Sequence, residues 1–131
     1  MKDAINSQLI LRIPLLIEVC MEHRMNLWND SFLSIKSGVK TVEMRLNDEK
    51  RSLVSSGDTI IFTNVDTKEE IIVKVIKTVV YKDFFELYKH YNKLEIGYAE
   101  DEINDPADMY QYYSKEKIDK YGALAIEIKL I

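Results

Sequence analysis

The hydrophobic period of the chain changes twice between residues 23 and 46. His23, Met25 and Leu27 alternate with Arg24 and Asn26, the two-residue period of a half-buried strand. Phe32 and Ile35 then fall three apart, with Asp30 or Ser31 placed to cap a short helix and Gly38 where a left-handed residue ends one. Thr41 to Leu46 returns to strand spacing. Asn47 to Ser56 is polar around Leu53 and Val54, and Ser56-Gly57-Asp58 reads as a turn into a strand over Thr59 to Val65. Asp66-Thr67-Lys68-Glu69 joins this to Glu70–Tyr81, rich in Val and Ile and free of Gly and Pro, which predicts a long strand pairing back as a hairpin.

Helical signals follow. Asp83 with Glu86 three residues on resembles a capping box, and Phe84, Leu87, Tyr88 and Tyr91 share one helical face. Asp105-Pro106, with Asp108 in the first turn, opens a second helix running through Tyr110, Tyr112 and Tyr113. Ser114 caps a further turn ending at Gly122. Ala123 to Ile131 closes the chain as a strand with Leu124, Ile126, Ile128 and Leu130 on one face. Strand, helix, three strands, two or three helices and a final strand make an α+β domain, and a long strand that bends to meet several neighbours predicts a partly open β-barrel with flanking helices.

Leu9 to Cys20 stands apart. It is apolar but interrupted by Arg12, Pro14 and Glu18, too short and too charged for a membrane span, and no small-residue cleavage site follows it. Residues 1–20 therefore read as an extension of the 21–131 domain: either a packed strand and helix, or an arm for a protein partner or for self-association. Met21 and Met25 offer alternative starts, which would make the segment dispensable.

Composition narrows the function classes. A net charge of −4 argues against holding nucleic acid by bulk positive charge. The acidity is local, however. Six acids and no Lys or Arg fall between Leu94 and Met109, so the other 16 acids face all 18 bases and the rest of the chain nets +2. Ile35 to Leu53 is mildly basic, so one selective site for an anionic or single-stranded ligand is compatible with the charge map. A single cysteine forms no internal disulfide, and with two histidines it builds no Cys/His zinc site; a reducing cytoplasm, no metal and no cofactor are the expectations.

The chemistry concentrates in Lys36 to Asp48. On strict alternation Glu43 and Arg45 share a face with Thr41, and Val42 and Met44 point to a core; Lys40 joins Glu43 and Arg45 only if it precedes the ladder. This is either a solvated face with a cross-charge pair or the floor of a site. Lys50 and Arg51 follow as a rim for an anionic chain or as plain solvated loop, and Trp28 as a cleft rim or a packing residue. About two of Tyr112, Tyr113 and Tyr121 belong in a core. His23 is expected to bond a backbone carbonyl, Cys20 to be buried if the first segment folds, and His90 to lie on the surface.

The run Gly38-x-Lys40-x-x-Glu43-x-Arg45, preceded by His23-x-Met25-x-Leu27 and Phe32-x-x-Ile35, resembles the ASCH domain, the activating signal cointegrator homology family of the PUA-like superfamily. The likeness continues through Asp48-x-Lys50-Arg51, Gly57-Asp58, the long apolar strand, Tyr112-Tyr113-Ser114 and Tyr121-Gly122, and covers about residues 22 to 131. It implies a PUA-like barrel of five to six strands whose cleft floor carries Lys40, Glu43 and Arg45 and which binds single-stranded RNA or a nucleotide-like molecule. Lys40 and Arg45 suit phosphate or carbonyl oxygens, Glu43 a base amino group or Arg45 itself, and one of Tyr112, Tyr113 or Tyr121 a stacked base, with Trp28, Lys50 and Arg51 at the rim. Some bacterial relatives resemble amidohydrolases that deacetylate N4-acetylcytidine with a Lys, a Thr three positions later and a downstream Glu, for which Glu86 or Glu95 is the counterpart here. Lys40 matches the first, but Glu43 occupies the Thr position, so that route is open here only with Lys40 and Glu43 as the proton-handling pair.

Overall fold

The computed structural model describes residues 20–131. The two readings of the first segment, packed or partner-binding, fall on residues outside that range. Five strands, β1 (Glu22–Leu27), β2 (Val42–Leu46), β3 (Thr59–Asn64), β4 (Glu70–Tyr81) and β5 (Ala123–Leu130), form one sheet in the order β1-β3-β4-β5-β2. β1 runs parallel to β3 and every other pairing is antiparallel. The sheet curls into a half-barrel with flanking helices, as the period of the sequence predicts. Its long element is β4, which pairs with β3 from Glu70 to Lys74 and with β5 from Val73 to Tyr81. A register shift between Val75 and Lys77 lets one strand serve both neighbours, since a bulge bends and twists the strand that carries it.

β5 is buried on both faces. Leu124, Ile126 and Ile128 meet Phe32 and Ile35 of α1 (Asn29–Lys36) and the inward residues of β3 and β4, while Ala123 and Ala125 meet α2 (Phe84–Tyr88) and α3 (Lys115–Tyr121). Burying Phe32 and Ile35 contributes about 1.5–3 kcal/mol each, which holds a helix too short to persist alone. Leu130, expected on the same face, is partly exposed at the strand end.

Several boundaries differ from the sequence reading. α1 begins at Asn29 with Trp28 at its N-cap and no side-chain cap, because Ser31 is inside the first turn and its hydroxyl accepts from Lys40 instead. The segment Pro106–Gln111 is a 3₁₀-helix rather than an α-helix through Tyr113. Asp105 caps it by accepting from Ala107 N, and the amides of Tyr112 and Tyr113 both donate to Met109 O, tightening the end around that buried side chain. α2 starts as predicted, with Asp83 accepting from Glu86 N at 2.8 Å, but ends at Tyr88. Tyr91 lies beyond it and donates to Glu127 at 2.8 Å. Ser114 caps α3, and Gly122 ends it at φ +83°.

Asp58, at the turn before β3, organises the entry to the sheet. Its carboxylate accepts from Met21 N, Ser55 N and His23 Nε2. His23 thus bonds a carboxylate rather than the backbone carbonyl expected of it. Burial pushes the Asp58 carboxyl up, but the amide and histidine hydrogen bonds outweigh it and hold it below the usual range. Cys20, expected to be buried only if the first segment folds, is exposed beside Gly57. His90 is on the surface, stacked on Tyr81. Among the described residues no helix is long and apolar enough to cross a membrane, and no group of His, Cys, Asp and Glu is arranged to hold a metal ion.

Candidate functional site

Among the described residues β1 and β2 are the two edges of the curled sheet, with no backbone ladder joining them. The gap is laced by side chains. Arg45 of β2 donates through Nε to Glu43 Oε2 at 2.6 Å and through a terminal nitrogen to the Asn26 carbonyl of β1 at 2.8 Å. Lys40 precedes β2, so the alternation of the strand does not bind it. Its ammonium reaches Glu43 Oε1 at 2.7 Å and the Ser31 hydroxyl at 2.7 Å. Lys40, Glu43 and Arg45 therefore form one buried ion triad, and Glu43 is only 4% exposed. Burial alone would raise the Glu43 carboxyl; the charges of Lys40 and Arg45, with their hydrogen bonds, win and hold it at about 2. For Arg45 the balance runs the same way, with Glu43 overcoming desolvation and raising the guanidinium above its ordinary value.

The triad floors a cleft of about 580 Å³. Each cation keeps N–H groups without a partner among the described residues: Lys40 has three hydrogens for two acceptors, and one terminal nitrogen of Arg45 has none. A ligand carbonyl or other acceptor can take these. One wall is β1 and α1, with Trp28 66% exposed at the rim. The opposite wall is the loop between α2 and the 3₁₀-helix. The amides of Thr41 and Val42 both donate to Glu95 O, which docks this loop on the start of β2. Gly97 then crosses the Lys40 stem so closely that a Cβ there would lie 3.0 Å from Lys40 Cδ, and its φ of +106° suits glycine alone. Tyr88, Tyr98 and Asp108 form a chain along this wall, Tyr98 donating to Asp108 at 2.9 Å and its oxygen sitting 2.8 Å from that of Tyr88. Burial, first, and the nearby acids raise the Tyr88 hydroxyl to about 12, partly offset by its bond to Tyr98.

Of the residues singled out in the sequence, Lys40, Glu43, Arg45, Trp28, Tyr112 and Tyr113 line this cleft. Tyr112 is exposed; Tyr113 packs on the core while also lining the cleft, and Tyr121 packs on the core away from it. Trp28 is a rim residue and not a packing one. Lys50 and Arg51 are not brought to the cleft; Lys50 is exposed ahead of the short 3₁₀ turn Arg51–Leu53, and Arg51 turns back to Asp48 at 2.7 Å. The sequence reading missed Ser31, Tyr88, Gly97, Tyr98, Glu102 and Asp108 as cleft residues. Gly97 carried a signal, an isolated glycine between Ile96 and Tyr98 where a backbone can approach closely.

The chain's similarities agree with this architecture. The model of the ASCH domain matches residues 25–131. The crystal structure of hypothetical protein PH0355 shares 32% identity, covering 85% of this chain and 100% of its own, with a TM-score of 0.72. The solution structure of protein PF0455 from Pyrococcus furiosus shares 32% identity over 85% of this chain and 98% of its own, with a TM-score of 0.67. ASCH from Zymomonas mobilis, at 22% identity, covers 82% of this chain and 66% of its own with a TM-score of 0.61, and shows the shared fold alone. No curated protein matches the chain.

Proposed function

The chain belongs to the ASCH domain family, and we propose that it is a binding module whose cleft recognises an unpaired nucleobase, in single-stranded RNA or in a nucleotide-like molecule. The observation that carries this reading is the buried polar floor beneath exposed aromatics: spare N–H groups on Lys40 and Arg45 under the rims of Trp28 and Tyr112. A base offers both partners at once, ring carbonyls for the donors and a π-face for the aromatics. A cavity of about 580 Å³ is within the ordinary range for a small-ligand site.

Recognition fits the triad better than hydrolysis does. A carboxyl held at about 2 by two hydrogen-bonded cations is a weak base at neutral pH, so Glu43 is poorly suited to activating water. Its role is to fix Lys40 and Arg45 in place so that their remaining hydrogens are presented at defined positions.

Affinity for short single-stranded RNAs and for free nucleosides, measured at low salt, tests this. Arg45→Ala should abolish binding, and because Arg45 also joins the sheet edges, Trp28→Ala serves as the folding-neutral partner variant, expected to weaken binding about tenfold through lost stacking. No detectable binding by the parent chain, or full binding by both variants, would sink the proposal.

A further inference from the structure

The charges around the cleft point to the class of ligand. Among the described residues, four carboxylates line it, on Asp30, Glu43, Glu102 and Asp108, against two cations, Lys40 and Arg45. Both cations are already bonded to Glu43. Asp30, Glu102 and Asp108 form no ion pair among the described residues. Glu102 and Asp108 each spend one oxygen internally, on Ala99 N and on the Tyr98 hydroxyl, and keep the other without a partner there. Lys93, in this loop, donates to the carbonyls of Glu100 and Glu102 and so tethers the backbone instead of neutralising the carboxylates.

From this arrangement we infer that the cleft admits its base without phosphate, with Glu102 and Asp108 as the residues that turn phosphate away. The inference rests on the nucleobase reading above and narrows it. Free carboxylate oxygens accept from base amino and imino hydrogens, and the floor donors take a ring carbonyl, so the site complements the edge of an uncharged base. A phosphate at the mouth meets an excess of two negative charges within about a Debye length, near enough to repel and exposed enough to be screened by salt. An RNA base enters with its backbone outside the acidic wall; a free ligand enters as a nucleoside. The dependence on ionic strength is then the reverse of that for phosphate-gripping proteins, whose affinity falls as salt rises.

Trp28 is the single tryptophan of the chain and sits on the rim, so its fluorescence reports occupancy directly, with calorimetry as a second readout. The full chain is titrated with adenosine, guanosine, cytidine and uridine and with their 5′-monophosphates, at about 20 and about 300 mM salt. At low salt the preferred nucleoside should bind at least about tenfold more tightly than its monophosphate, and the gap should shrink severalfold at high salt. In the double variant Glu102→Gln/Asp108→Asn, which keeps both internal acceptors, the low-salt gap should fall below about threefold. A monophosphate that binds as tightly as its nucleoside, with affinity falling as salt rises, would overturn this inference while leaving the nucleobase reading intact. A gap that the double variant leaves unchanged removes the assignment to Glu102 and Asp108. Silence from every nucleoside and nucleotide overturns the inference, and silence from short single-stranded RNAs as well overturns the nucleobase reading.

Discussion

Replacing Glu43 by Gln keeps the shape of the side chain and removes the one charge that both Lys40 and Arg45 share. The carboxyl lies at about 2 in the folded chain against 4.5 ordinarily, a difference equivalent to about 3 kcal/mol of folding stability at neutral pH. A depressed carboxyl stabilises the fold at pH above its unfolded value and loses that contribution as pH falls through the folded one, so this part of the stability should drain away between about pH 5 and pH 2. The substituted amide would offer one acceptor where two exist and leave two buried cations facing a neutral group. Breaking such a buried pair from one side costs about 3–5 kcal/mol. For a domain of this size that lowers the melting midpoint by roughly 10–15 °C. Urea unfolding at pH 7 and at steps down to about pH 2.5 measures both effects: the variant should be weaker at neutrality and show a flatter acid limb than the parent. A triple change, Lys40→Met/Glu43→Leu/Arg45→Met, should be less destabilising than Glu43→Gln alone, because it leaves no uncompensated charge. A Glu43→Gln chain within about 1 kcal/mol of the parent, with the same acid limb, would refute the triad as the electrostatic keystone of the seam between β1 and β2.

Three further outcomes follow from close contacts and caps. Gly97→Ala should cost about 1–3 kcal/mol in chemical denaturation, from strain at φ +106°, and should also weaken nucleoside binding by pressing on the Lys40 stem. Gly122→Ala should be worse, with an unfolding loss above about 3 kcal/mol or failure to accumulate, because its Cβ would lie 2.8 Å from the Tyr81 carbonyl, which the β4–β5 ladder holds in place. Asp83→Ala should lower stability by about 1 kcal/mol through loss of the α2 cap while leaving ligand titrations unchanged, since Asp83 lies outside the cleft.

Local pattern was enough to locate most elements. The two-residue alternation of His23 to Leu27, the uninterrupted apolar strand Glu70–Tyr81 and the caps at Asp83 and Ser114 all correspond to what the chain forms. Each of these depends on residues within one or two turns, where spacing and backbone chemistry act directly. The Pro106 segment misled because proline and an acid mark a helical start without saying how far it continues; burial of Met109 decides that. Alternation alone also set Lys40 on the wrong side of the strand. The answer turned on where the ladder begins, and that is fixed by the pairing of Val42 with Glu127.

Legible in the chain alone were an α+β domain of five strands, the signature Lys40, Glu43 and Arg45, and an acidity confined to residues 94–109. Read along the chain, that acidic stretch and the mildly basic strand look like separate regions. The tertiary structure put them face to face. Glu95 O takes the amides of Thr41 and Val42, Gly97 settles on Lys40, and Glu102 and Asp108 become the wall of the cleft whose floor the signature supplies. Charge counted along a sequence ignores this because Coulomb forces act through space and over about a Debye length, so the sign of a site is fixed by which loops the fold brings within that distance.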